Sequence, residues 1–218
     1  MSFSLDVKKE IASYELEDNH AKAQLASLIQ AALKEEVVFG EPFRLSFSQV
    51  FLAKRYVQLL KQLYQVECQI DYEQKHKLTK TSTTSITITE KVKMILEDVG
   101  LYSRGKIQKK ILLSRITSDE AVRAYLAGWF MIKGSINDPS TANYHLEIRF
   151  LDEETASFVQ DLLKKFFVNV KLTKRRHEIV AYLKASDQIS DVLRLVGAHQ
   201  ALLTFEDIRI HRDFHNSL

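Results

Sequence analysis

The sequence predicts an α/β (α+β) fold of two pseudo-symmetric halves, each with helices packed on one face of an antiparallel sheet. Three observations carry that expectation. Apolar residues recur first at helical and then at strand spacing, and the same order of elements is run through twice. Landmarks keep nearly one offset: Leu25 and Leu126 lie 101 residues apart, Phe47 and Phe150 lie 103 apart, and Val99-Gly100 and Val196-Gly197 lie 97 apart. Each strand also shows a single apolar face, so helices must cover that face while the other stays wet.

Taken in order, the first long helix is expected from about Glu17 to Leu33, with Leu25, Leu28, Ile29 and Ala32 on one stripe. FRLSFSQ then alternates, placing Phe43, Leu45 and Phe47 inward and Arg44, Ser46 and Ser48 outward. VFLAKRYVQLLKQLY is an amphipathic helix, and a strand through Val66, Cys68 and Ile70 follows it, with Cys68 as small core filler. TSTTSITIT supplies the next strand through Ile86 and Ile88, and EKVKMILEDVG closes the pass as a helix ending at Gly100.

The second pass opens with Thr117 and Glu120 as a capping box, ahead of a helix whose stripe holds Val122, Tyr125, Leu126, Trp129 and Phe130. HLEIRFL turns Leu146, Ile148 and Phe150 inward and His145, Glu147 and Arg149 outward. DEETASFVQDLLKKFF is the next helix, strands around Val170–Leu172 and Ile179–Leu183 flank the turn KRRHE, and SDQISDVLRLVG ends at Gly197. A last helix from about Gln200 to Asp213, capped by His199, has no counterpart in the first pass. Residues 1–104 thus form the first half with an N-terminal helix, 105–117 a basic linker, and 118–218 the second half with a C-terminal helix.

Composition narrows the function classes. With 218 residues, 45% hydrophobic and 27% charged, the chain can bury a core without staples or metals. A single cysteine excludes a disulfide framework and a cysteine-based zinc site. MSFSLDVKKEIA lacks the apolar core of a signal peptide, and no apolar run approaches membrane-spanning length. A cytoplasmic protein is expected. Net charge is only +3, which permits nucleic-acid binding without arguing for it. His211 and His215 share a helical face, but no acid or third ligand accompanies them. No cofactor and no metal site are expected.

LASLIQAAL (Leu25 to Leu33) and LAGWFMIKG (Leu126 to Gly134) resemble the LAGLIDADG motif of homing endonucleases. Small residues at Ala26, Ser27, Ala127 and Gly128 would let two helix backbones approach closely. In that family an acid near the foot of each helix holds the divalent metal that clamps the scissile phosphate. The corresponding positions here are Ala32 and Lys133, and neither ligates magnesium. Glu35, Glu36 and Asp138 lie beyond the helix ends, displaced by three or more residues. The resemblance therefore implies a nuclease scaffold without nuclease chemistry, and an active endonuclease using shifted acids is the rival.

A narrower resemblance joins MSFSLDVKKEIA, AYLAGWFMIKGSINDPSTANYHLEI and VGAHQALLTFEDIRIHRDFHNS to the WhiA family of bacterial regulators, over essentially the whole chain. It implies a non-enzymatic DNA-binding protein of cell division, chromosome segregation and, where the host sporulates, sporulation, associated with the nucleoid. The family's C-terminal helix-turn-helix has no counterpart before Leu218. DNA is the expected partner, bound weakly or without specificity; a scaffold that binds only protein is the further alternative. Candidate phosphate contacts are Lys75, Lys77 and Lys80, then Arg104, Lys106, Lys109 and Lys110, then Lys171, Lys174, Arg175 and Arg176. Exposed basic turns also serve solubility, so both readings of these clusters stay open.

Overall fold

A computed structural model describes residues 2–34, 42–74, 82–141 and 143–216. The first pass comprises α1 (Phe3–Ser13), α2 (Asp18–Ala32), β1 (Phe43–Phe47), α3 (Val50–Tyr64), β2 (Gln69–Gln74), β3 (Ser82–Ile88) and α4 (Val92–Asp98). A two-strand hairpin, β4 (Tyr102–Ser103) and β5 (Lys106–Ile107), and a 3-10 turn (Leu113–Arg115) follow. The second pass comprises α5 (Asp119–Lys133), β6 (Gly134–Ile136), β7 (Leu146–Phe150), α6 (Glu153–Lys164), β8 (Lys171–Arg175), β9 (Glu178–Leu183), α7 (Ser186–Leu195) and α8 (His199–Asn216).

Both sheets are antiparallel, ordered β1-β3-β2 and β6-β7-β9-β8 among the described residues. Period-2 alternation produces their inner faces. Phe43, Leu45, Phe47, Ile86 and Ile88 are buried on one sheet, and Leu146, Ile148, Phe150, Ala181 and Leu183 on the other. The helix ends at Gly100 and Gly197 share one device. Each glycine has φ near +80° (82° and 84°), and the next residue's N–H returns to a carbonyl of the last turn, Leu96 or Leu193.

The chain divides into two compact units, one of Glu15–Gly128 and one of Met1–Tyr14 with Trp129–Leu218. In the first, α2 and the start of α5 meet at Gly128. A Cβ there would lie 1.8 Å from Ser27 Oγ and 2.9 Å from the Gln24 carbonyl oxygen, so only glycine fits. Ala26 and Ser27 are fully buried and Ala127 nearly so. Ser27 donates its hydroxyl back to Gln24 O at 2.9 Å, which satisfies that hydroxyl within the seam.

In the second unit, Trp129 packs on Phe150 at 5.0 Å between ring centroids and is core. The N-terminal helix, grouped by the sequence with the first half, lies in this unit. Phe3 stacks on Phe205 at 6.5 Å, and Ser4 Oγ accepts the Ile136 N–H at 3.3 Å. Glu10 accepts from the N–H groups of Gln200 and Ala201 at 2.7 and 3.0 Å, so a carboxylate from α1 caps α8. His199, expected as that cap, instead sits edge-on to Tyr14 at 6.4 Å. Two further expectations shift. Ser118, not Thr117, caps α5, its Oγ accepting Ala121 N–H at 3.1 Å. Cys68 is only half-buried, because β2 starts after it at Gln69.

Candidate nucleic-acid interface

Ala32 and Lys133 are the last residues of their helices. Ala32 is buried at the end of α2, and Lys133 is half-buried where α5 passes directly into β6. Of the acids beyond the helix ends, Asp138 is exposed and folded onto its own turn, accepting from Ser140 N–H at 2.9 Å and Ser140 Oγ at 2.6 Å. The Ser140 bonds hold its carboxyl below the usual range. Glu35 and Glu36 lie outside the described residues. Among the described residues no three His, Cys, Asp or Glu side chains converge as a metal-holding group.

The outer sheet faces differ in where they keep their carboxylates. On β7, Glu147 points outward by alternation, yet its side chain is only 6% exposed. Three cationic or ionisable groups lie over it. Arg149 donates through both Nε and Nη2 to the one oxygen Oε1, at 2.9 and 2.8 Å. Arg175 Nη1 and His145 Nε2 reach Oε2 at 3.1 and 3.0 Å. Burial alone would raise the Glu147 carboxyl; the bonds from His145 and Arg149 and the two guanidinium charges override it, and the net shift is downward. Both arginine side chains remain about half exposed (51% and 54%), so guanidinium covers Glu147, while Glu178 on the same face, 37% exposed, lies 3.8 Å from Arg149.

On the first sheet the arrangement is reversed. Arg44 lies between Asp71 at 3.4 Å and Glu73 at 2.9 Å, and those carboxylates are 55% and 56% exposed. Phosphate approaching there meets more negative than positive charge.

The expected basic residues sort by register. Lys171 and Arg175 share the outer face with Arg149, because Lys171 pairs with Tyr182 and Arg175 with Glu178. Lys174 pairs with Ile179 and has the opposite parity, and Arg176 forms the turn with φ 54°. Arg104 and Gly105, with φ 53° and 80°, make the two-residue turn of the β4–β5 hairpin. Lys106, Lys109 and Lys110 are exposed on a segment that is built in rather than loose. Gln30 on α2 donates to the carbonyls of Gln108 and Lys109 at 3.3 and 3.0 Å, while accepting from Tyr125 OH at 2.6 Å. Lys75, Lys77 and Lys80 lie outside the described residues. Arg149 was not among the expected contacts, and neither was Tyr182, which stacks on His145 at 6.1 Å with Lys184 Nζ 6.0 Å from its ring centroid. The alternation in EIVAYL, with Ile179, Ala181 and Leu183 inward, was the available signal for Tyr182.

Duplicated helices ending at sheets, each sheet antiparallel with one helix-covered face, define a LAGLIDADG-type protein, and the structural comparisons agree. The fold is shared with I-DmoI in complex with DNA and Mn at TM-score 0.54 and 15% identity, covering 83% of this chain and 98% of that one. It is shared more fully with full-length DUF199/WhiA from Thermatoga maritima, at TM-score 0.76 and 21% identity over 97% of this chain and 67% of that one. Residues 18–102 match the WhiA N-terminal LAGLIDADG-like domain and residues 122–215 the WhiA LAGLIDADG-like domain. The whole chain is 36% identical to the probable cell division protein WhiA of Ligilactobacillus salivarius over 220 residues, 70% of that protein. The Staphylococcus saprophyticus relative of the same name is also 36% identical, over 222 residues. The chain belongs to the WhiA family.

Proposed function

We propose that this chain binds duplex DNA through the outer face of its second sheet, without cutting it, as part of a nucleoid-associated regulator. Its field of action is cell division, chromosome segregation and, in a sporulating host, sporulation. One observation carries the reading: Glu147 lies beneath Arg149 and Arg175, which leaves two half-exposed guanidinium groups on the sheet surface. Lys171 and Arg176 extend the phosphate-binding surface of that unit, and the exposed cations of residues 104–110 offer phosphate contacts of their own in the other unit. Phosphate contacts of this kind fix position without reading sequence. Methyl and ammonium groups at Ala32 and Lys133 support the absence of cleavage, since neither ligates a hard cation.

Fluorescence anisotropy of a labelled duplex, titrated across salt concentrations, tests the reading. Affinity is expected to fall steeply with salt. The double change Arg149→Ala with Arg175→Ala should reduce the magnitude of that salt slope by about two, roughly one per lost phosphate contact. The duplex should stay intact with magnesium or manganese. Absence of binding even at low salt overturns the proposal in favour of a protein-binding scaffold. That second reading has its own support in the exposed apolar residues Leu203, Ile210 and Phe214 of α8, which are 59%, 62% and 61% exposed.

A further inference from the structure

The inner face of the first sheet is incompletely covered. Ile70 and Tyr72 face the helix side with Ile86 and Thr84, their partners in register, yet they are 47% and 68% exposed. Between them and α3 lies a cleft of about 340 Å³. Val50, Ala53, Val57, Ile70 and Ile86 give it an apolar lining. That volume lies within the roughly 300–1,000 Å³ of small-molecule sites, which combine apolar walls with a few polar groups.

The second half shows what closure would require. The residue 103 positions after Val57 is Gln160, and its side-chain amide donates to Val170 O at 2.9 Å, tying the entry to β8 against α6. Val57 has no donor to make that bond. Leu172, 102 positions after Ile70, is correspondingly better covered.

The charged groups lining the cleft carry one sign. Lys54 and Lys61 line it, and α3 contains no acidic residue at all. Gln58, also in the lining, accepts at 3.3 Å from Arg55, a guanidinium only 3% exposed. Arg55 Nε bonds Gln24 Oε1 at 2.7 Å, and among the described residues its Nη2 has no partner and no carboxylate forms an ion pair with it. Asp71 and Glu73 alternate to the opposite face, where Arg44 holds them. An apolar trough with lysines along it and a buried unneutralised cation behind it selects an apolar molecule bearing one negative charge.

We infer that the cleft between α3 and the β2–β3 pair is a binding site for a small amphipathic carboxylate, its apolar body against Val57, Ile70 and Ile86 and its carboxylate toward Lys54 and Lys61. The site is on the helix-covered side of the sheet, so it does not depend on the DNA reading.

The test uses the full chain, labelled at isoleucine and valine methyls, and three probes with one apolar body: 4-phenylbutyrate, 4-phenylbutan-1-ol and 4-phenylbutylamine. The carboxylate should give saturable methyl shifts confined to Val50, Val57, Ile70 and Ile86, with affinity about tenfold or more above the amine. Lys54→Glu with Lys61→Glu should invert that order, and Val57→Phe should fill the cleft and abolish the shifts while the remaining methyl spectrum is unchanged. Equal binding of all three probes, or no saturable shift, overturns the inference. So do cleft shifts that follow protein concentration and ignore the carboxylate, because a second copy of the chain would then be the occupant.

Discussion

Glu147 and Lys8 illustrate how depth changes the meaning of a charged residue. The alternation of HLEIRFL correctly assigns Glu147 to the outer face, where a carboxylate would oppose phosphate. Strand periodicity gives side and not depth, and the arginine two positions further along β7 and the one across the sheet on β8 are what bury it. Replacing Glu147 with Gln should lower stability at neutral pH by about 1–2 kcal/mol, below the usual cost of breaking a buried pair because both arginines are half in water. The folded-state carboxyl is depressed, so this stabilisation is complete above the ordinary glutamate value and is lost as pH falls through the lower folded value. Urea titrations from neutral to acid pH should therefore show a flatter acid limb in Glu147→Gln. Lys8 shifts in the same direction for the opposite reason, since folding disfavours its charged form. Burial lowers its amine from 10.5 to about 8, so the unfolded chain holds the extra proton between those values and stability rises with pH across that window. Lys8→Met should remove that rise in denaturation midpoints measured from pH 7 to 11.

At the scale of elements, the small residues of the central helices were legible because close approach demands them wherever the partner lies. Gly128→Ala is expected to destabilise by about 1–3 kcal/mol, the cost of forcing volume into a filled seam. Adding Ser27→Gly should restore only part of it in thermal melts, because the Gln24 carbonyl oxygen still lies 2.9 Å from the new methyl carbon. Helix starts were read less well, for a physical reason. A cap is identified by which acceptor reaches the free amides, and neighbouring hydroxyls such as Thr117 and Ser118 offer the same chemistry. At α8 the acceptor comes from Glu10, 190 residues away from Gln200, where no local pattern can announce it. Glu10→Ala should cost about 1 kcal/mol and speed hydrogen exchange at the Gln200 and Ala201 amides. The sorting of Lys171 and Arg175 from Lys174 was likewise hidden until the β8–β9 register was known.

For the molecule as a whole, duplication was visible in the offsets of leucines, phenylalanines and glycines, while the division of the chain was not. Repeats are a property of local pattern, whereas the grouping of α1 with Trp129–Leu218 arises from long-range packing of Val7, Ile11 and Phe3. Removing residues 1–14 should therefore raise hydrogen exchange in β6 and α8 while leaving α2 and α3 protected; loss of protection at α2 first would contradict the grouping. The same topology sets an order of events on the ribosome. At 5–20 residues per second, roughly 10–40 s separate synthesis of Glu10 from synthesis of Gln200. For most of that interval α1 waits without the mate that will cover it, so a segment made well before α8 is among the last to find its place, and nascent-chain chaperones have that long to engage it.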